Sequence, residues 1–198
     1  MDMANEQAKR NFQPRPRYLC CHPNAQGTGT SVRFELHPAH DYVEGSVFAT
    51  FASQKTTASH IEGKQSYPTF DWEKSITIRL TINEVAEMLE VFRGYREKMG
   101  DGKGLFHVSE FANTVITLEH RLEPEAGYFF GVSRKHSDGS LRRMRVFLSM
   151  AEAIVLSESL ASSMLYMAFG VPKVYPRCEK QPDAGQQRRP PMKEAAVA

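Results

Sequence analysis

The chain has 198 residues, of which 41% are hydrophobic and 24% are charged, and its formal net charge is only +2. These values fit a soluble globular protein with one good core or two small ones that share an interface, and a charge so close to neutral does not by itself indicate a nucleic-acid partner. The three cysteines show no spacing pattern and argue against a disulfide framework or a zinc site, and no apolar run is long enough to span a membrane.

The two ends of the chain are predicted to be disordered, because residues 1–17 are polar and residues 173–198 form a basic tail rich in proline and glutamine. Asp2, Glu6 and the lack of an apolar stretch argue against a secretory signal and do not support organellar targeting. We therefore expect a cytoplasmic protein, associated with the nucleoid if it is bacterial, with one domain at residues 18–172.

The first half of this domain predicts several strands and then a helix. Alternation of apolar and polar residues predicts strands at 31–37, 45–55 and 70–80, with a loop or hairpin at 56–69. The ordered part of the chain is predicted to begin at Tyr18. An apolar stripe at helical spacing, from Val85 to Phe92, predicts a helix that runs from Thr81 to about Lys98.

The second half repeats this order. The pattern predicts strands at 105–111, 114–122, 127–135 and 141–148. Asp138-Gly139 predicts a tight hairpin turn before the last of these strands. The stripe from Met150 to Ala168 predicts a helix from Ser149 to about Gly170.

Each predicted helix follows a strand directly and begins with a capping box. Thr81 precedes Glu84 by three residues, and Ser149 precedes Glu152 by the same spacing. In such a box the hydroxyl accepts an N–H of the first turn, and the glutamate accepts the N–H of the cap residue. The repeat predicts a duplicated strands-then-helix unit in an α+β fold with antiparallel sheets.

The hairpin at 127–148 concentrates positive charge. Arg143 and Arg145 share one strand face with Phe147, whereas Arg142 shares the other with Met144. Cations beside exposed aromatic rings suit a single strand of nucleic acid, because cations pair with phosphates and rings stack on bases. The predicted binding residues are Lys55, Lys64, Trp72, Lys74, Arg79, Tyr128, Phe130, Arg134, Lys135, Arg142, Arg143 and Arg145. Trp72 has an alternative interpretation as a core or interface anchor.

Catalytic motifs are not found. His37, His40 and Asp41 fall in a proline-containing turn without the HExxH or CxxC spacing of a metal site. The glycine-rich stretches lack the Lys-Ser/Thr pair of a phosphate loop and the dinucleotide fingerprint. We therefore predict a protein that is not an enzyme and needs no cofactor or metal.

Several segments in one order resemble the Whirly family. Gly45-Ser-Val-Phe-Ala-Thr-Phe51 precedes Phe70-Asp-Trp-Glu-Lys74, and a strand, a Thr-x-x-Glu helix start and Gly127-Tyr-Phe129 follow. The family's Lys-Gly-Lys-Ala-Ala-Leu motif would align with residues 26–31, where the glycine matches and both lysines are absent.

The resemblance covers roughly residues 18–170. It implies two antiparallel four-stranded sheets, arranged like blades, with two helices that form a helix-loop-helix core. It also implies tetramers that form through these helices and bind single-stranded DNA along the sheet edges with little sequence preference. The implied roles are in transcription, genome maintenance and repair, and we expect DNA recombination or transfer as further roles.

Two alternatives remain beside single-stranded DNA binding. The same surface would also suit single-stranded guide or messenger RNA. The other alternative is a structural or regulatory oligomer whose helices form the partner surface and whose sheets bind no nucleic acid.

Overall fold

The computed structural model describes residues 17–61 and 64–172, and for Ile61 and Lys64 it describes the backbone only. Apart from Arg17, which begins the first strand, the two segments predicted to be disordered lie outside these residues. Within these residues the architecture is α+β, as the sequence predicts, with two main antiparallel sheets, a separate two-stranded hairpin and two α-helices. No helix in the described ranges is both long and apolar enough to cross a membrane.

The first sheet has the strand order β1-β2-β3, with β6 and β7 both paired to the free side of β3. A separate two-stranded hairpin, β4-β5, follows β3. The bounds are β1 (Arg17–His22), β2 (Thr30–His37), β3 (Ser46–Thr56), β4 (Ser59–Ile61), β5 (Lys64–Ser66), β6 (Thr69–Phe70) and β7 (Ile76–Leu80).

The predicted single strand at 70–80 is wrong in one respect, because the chain leaves the sheet between β6 and β7. Asp71 Oδ1 accepts the backbone N–H of Lys74 at 3.2 Å, which closes a turn that contains Trp72. The pairing register with β3 also shifts between Gln54 and Thr56. The two short strands together therefore act as one interrupted fourth strand of the first sheet.

The second sheet is continuous and follows sequence order, β8-β9-β10-β11. Its strands are β8 (Leu105–Val108), β9 (Ala112–Arg121), β10 (Gly127–His136) and β11 (Leu141–Ser149). Gly139, with φ of 84°, occupies the predicted hairpin turn between β10 and β11. A left-handed backbone of this kind favours glycine because glycine has no Cβ.

The helices are α1 (Ile82–Phe92) and α2 (Met150–Phe169), and both predicted capping boxes are present. The predicted end of α1 near Lys98 is wrong. Gly94 adopts φ of 74°, and this left-handed residue ends the helix one residue after the cap at Arg93. The two helices pack against each other, and each contacts strands of both sheets.

The core lies between the sheets. Phe34 and Phe51 of the first sheet pack on Phe130 of the second, with ring centroids 5.5 and 4.9 Å apart respectively. All three are at most 3% exposed. This packing follows from the period of two along each strand, which places one side chain in two toward the opposite sheet.

Candidate nucleic-acid interface

The outward face of β10 and β11 is the most basic surface of the predicted set. Arg143 and Arg145 are exposed on it, whereas Met144 and Val146 face the core. Lys135 is also exposed, and it is paired with Leu141 at the hairpin end. The structure therefore confirms the predicted division of β11 into a basic face and a core face.

A cluster of cations and rings occupies this outward face. The guanidinium carbons of Arg145 and Arg121 lie 4.7 and 5.1 Å from the ring centroid of Phe129. The ring of Phe147 lies 5.3 Å from the same ring, across the strand pair. Arg121 is also paired with Glu119, so its charge is partly neutralised, whereas Arg145 belongs to no ion pair among the described residues. The cluster offers a flat ring and a cation at one place.

A shallow groove of about 300 Å³ runs beside this cluster on the same sheet. Gly131 opens it, because a Cβ at this position would lie 2.9 Å from Thr117 Oγ1 and 3.6 Å from Arg145 Cγ. Arg143 and Arg145 also line the groove. Its position therefore puts a space of small-ligand size beside two cations.

Two predicted aromatic contacts are wrong. Tyr128 is 4% exposed and Phe130 is fully buried, so neither ring can stack on a base. The Tyr128 hydroxyl donates to the carbonyl of Phe92 at 3.1 Å, and burial raises the pKa of this phenol. Phe129, between them, is the ring that reaches the outward face. Alternation along the strand separates Phe129 from Tyr128 and Phe130, and the burial of those two rings shows which side faces outward.

Two predicted cations connect the sheets instead of lining the outward face. Arg134 donates to the carbonyl of Thr77 at 2.8 Å and to the hydroxyl of Thr114 at 3.0 Å. Arg142, directly opposite on β11, donates to the carbonyl of Lys74. Burial, followed by repulsion from Arg142, lowers the pKa of Arg134. These two arginines hold the edge of the first sheet against the second.

Trp72 lies over the first sheet, half-buried, with the guanidinium carbon of Arg33 5.2 Å from its ring centroid. Arg33 was not predicted as a site residue. It lies on β2, where alternation with buried Val32 and Phe34 turns it away from the core. The sequence alone does not predict the contact between Trp72 and Arg33, because the two residues lie in distant segments of the chain. This pair is a second aromatic–cation site, on the other sheet.

The remaining predicted residues are spread along the first sheet. Lys55 is exposed near the end of β3, and Lys74 is exposed in the turn before β7. Arg79 is exposed on β7 and lines a cleft together with Arg134. Lys64 belongs to β5, and its side chain lies outside the described residues. The structure thus divides the predicted residues into cations of the outward face, arginines that connect the sheets, buried aromatic residues, and residues spread along the first sheet.

The part of the chain that the structure describes contains no group of three or more histidine, cysteine or acidic side chains placed to hold a metal. Cys20 is buried, and burial raises its pKa to about 12, which keeps it a thiol. Because the thiolate is the nucleophilic form, this cysteine is not activated for catalysis.

The fold and this surface define an α+β protein with two antiparallel sheets and a basic, aromatic outward face. Three solved structures of Whirly proteins share the fold. The plant transcriptional regulator PBF-2 is 16% identical with a TM-score of 0.60, over 79% of this chain and 84% of that one. WHY1 from Arabidopsis thaliana is 15% identical with a TM-score of 0.59, over 80% and 89% of the two chains.

WHY3 from Arabidopsis thaliana is 18% identical with a TM-score of 0.57, over 77% of this chain and 90% of that one. No protein-family model matches the sequence, and no curated protein matches it. The likeness therefore establishes a Whirly-like fold, as the order of sequence segments predicts.

Proposed function

We propose that this protein binds single-stranded DNA with little sequence preference, without catalysing a reaction. The observation that carries the proposal is the Phe129 ring with Arg145 against it, beside the groove at Gly131. A ring stacks on any base, and a guanidinium pairs with any phosphate, so this surface recognises the backbone and the base plane. Trp72 with Arg33 extends the same chemistry to the first sheet.

The biological role that we propose is in processes that expose single strands, namely transcription, DNA maintenance, recombination and repair. The likeness to PBF-2, described as a plant transcriptional regulator, supports transcription among these roles. Single-stranded RNA would meet the same rings and cations. Competition between DNA and RNA oligomers of one sequence distinguishes the two ligands.

We also propose self-association through α2, with a tetramer as the expected assembly. The exposed fractions of Ile154, Leu165 and Phe169 on this helix are 61%, 60% and 82%. Large apolar side chains exposed together on one element are typical of a surface that another subunit covers. A second copy of the chain would bury this part of the helix and place several outward sheet faces in one particle.

The test of DNA binding is a fluorescence anisotropy titration of labelled oligothymidine with the full chain. We expect the variant with Arg143→Ala and Arg145→Ala to bind at least about tenfold more weakly at low salt. A control variant with Arg93→Ala and Lys103→Ala also removes two exposed cations, but from outside the sheet faces. Equal affinities of the two variants, or no binding by the wild type, would contradict the proposal.

A further inference from the structure

A cleft of about 340 Å³ opens between the two sheets. It shares no lining residue with the group formed by Phe129, Phe147, Arg121 and Arg145, the Phe129 cluster. Its walls come from β7 of the first sheet and from β8, β9 and β10 of the second, and Arg79, Arg134 and Phe111 line it. Its volume lies at the lower end of the range for small-ligand pockets, roughly 300–1,000 Å³. A single nucleotide is a ligand of suitable size.

The cleft carries positive charge that no carboxylate neutralises directly. Arg134 is held by a carbonyl and a hydroxyl, and Arg79 donates only a long bond of 3.4 Å, to the carbonyl of Glu44. Neither arginine takes part in an ion pair among the described residues, and no acidic side chain of the described chain lines the cleft. Two unpaired guanidinium groups at one cleft favour an anionic ligand.

The two histidines of the cleft, His107 and His136, contribute less to anion binding than the two arginines. His107 is bonded to Glu84 of α1, which offsets its charge when it is protonated. His136 is the last residue of β10, and it interacts electrostatically with Asp138 in the turn that comes next. The guanidinium groups are therefore the main anion-binding groups of the cleft.

Arg134 is already in place for an anion. Its bonds to Thr77 and Thr114 fix the plane of the guanidinium group, so ligand binding does not have to order this side chain. Arg79, being exposed, completes the pair from the first sheet. One anionic group between them would contact both sheets.

An aromatic ring is also present in the cleft. Phe111 lies in the turn between β8 and β9 with 71% of its surface exposed, although large apolar side chains are usually buried. A base placed against this ring would cover it, and stacking of this kind tolerates every base. A phosphate site beside an exposed ring matches the two parts of a nucleotide.

We propose that this cleft holds one nucleotide of the bound strand, with its phosphate on Arg79 and Arg134 and its base against Phe111. The inference rests on the proposed binding of single-stranded nucleic acid and adds a second contact point to it. A strand that occupies both this cleft and the Phe129 cluster would contact two separate faces of the second sheet.

The test uses thymidine 5′-monophosphate as the probe and follows the ring signals of Phe111 and His136 by NMR in the full chain. We expect saturable shifts of both rings with the monophosphate, and affinity at least about tenfold lower for thymidine, which has no phosphate. Arg79→Ala and Phe111→Ala should each weaken binding of the monophosphate by about tenfold. Both side chains are exposed, so neither substitution opens the core.

Arg93→Ala is the matched control, since it removes an exposed arginine outside the cleft, and it should bind the monophosphate like the wild type. The cleft proposal is overturned if the monophosphate shifts neither ring, or if Arg79→Ala binds it unchanged. Equal shifts with a glutamate-rich peptide would contradict the proposal that the ligand of the cleft is a nucleotide. If oligothymidine binding still depends on Arg143 and Arg145 in those cases, the proposed function stands without the cleft.

Discussion

His22 Nε2 lies 3.0 Å from Glu152 Oε1, although His22 ends the first strand and Glu152 lies in the first turn of the last helix. The other half of the chain repeats this relationship, because His107 of β8 contacts Glu84 of α1. The first strand of each half therefore supplies a histidine to the capping-box glutamate of the other half. These crossed contacts connect the two repeated units at both helix starts.

The capping glutamates should make stability depend on acid. Burial tends to raise the pKa of Glu152, but bonds from Ser149 and His22 outweigh it, and the net pKa is lowered; Glu84 behaves likewise with Thr81 and His107. A lowered folded pKa stabilises the protein above the ordinary pKa, and this stabilisation is lost as the pH falls through the folded value. The loss is therefore expected below about pH 4.5.

Glu152→Gln isolates this charge, because glutamine can still complete the capping box. Near neutral pH we expect the unfolding free energy of this variant to be about 1 kcal/mol lower than that of the wild type. When the pH is lowered, the unfolding free energy of the variant should decrease less than that of the wild type. Urea unfolding at a series of pH values measures both effects. Glu158→Gln, on an exposed face of the same helix, is the matched control and should follow the wild type. Identical pH curves for Glu152→Gln and the wild type would contradict this account.

Phe129 and Phe130 are neighbours with opposite roles, and alanine substitutions should separate them. Phe130→Ala removes a fully buried ring between the sheets and should cost about 3–5 kcal/mol of unfolding free energy. Phe129→Ala should cost less than about 1 kcal/mol but weaken oligothymidine binding about tenfold. Chemical unfolding and anisotropy titrations measure the two quantities. A large stability loss with unchanged binding in Phe129→Ala would assign this ring to the core as well.

Only part of the distinction between outward-facing and buried residues can be predicted from the alternation along a strand. Alternation predicts correctly that Arg143 and Arg145 share an outward face, because this depends on neighbours in one strand. It does not show which of three consecutive aromatic residues points outward until the register with the next strand is known. The Arg33–Trp72 and Arg134–Thr77 contacts join residues far apart in the chain, so no local pattern contains them.

Arg142 should be important for the position of the Trp72 turn. Its guanidinium group donates to the carbonyl of Lys74, within the turn that interrupts the edge strand. Arg142→Ala leaves this carbonyl without its partner, and we expect a loss of about 1–2 kcal/mol. Because Trp72 is the only tryptophan, its emission spectrum should also change. Arg143→Ala, on the adjacent residue but the outward face, should alter neither the unfolding free energy nor the spectrum of the free protein.

The apolar surface of α2 should decide the oligomeric state. Leu165→Glu places a charge on a side chain that is exposed in the single chain, so the fold of one subunit should tolerate it. In an interface the same charge would be buried without a partner, and association should be lost. Light scattering after gel filtration should give an oligomer for the wild type and a monomer for the variant. Lys103→Ala, an exposed change outside α2, should leave the mass unchanged.

Gly131 offers a change in groove shape without a change in charge. Gly131→Val would place side-chain atoms in the space between Thr117 and Arg145, where even a Cβ comes within 2.9 Å of the threonine hydroxyl. If bases occupy this groove, affinity for oligothymidine should fall about tenfold. The slope of log affinity against log salt should stay the same, because no phosphate contact is lost.

Arg145→Ala, in contrast, should reduce that slope by about 0.7, since each neutralised phosphate of a single strand contributes about this amount. A reduced slope in Gly131→Val would mean that filling the groove displaces the strand from the cations, and unchanged affinity would mean that bases do not enter it.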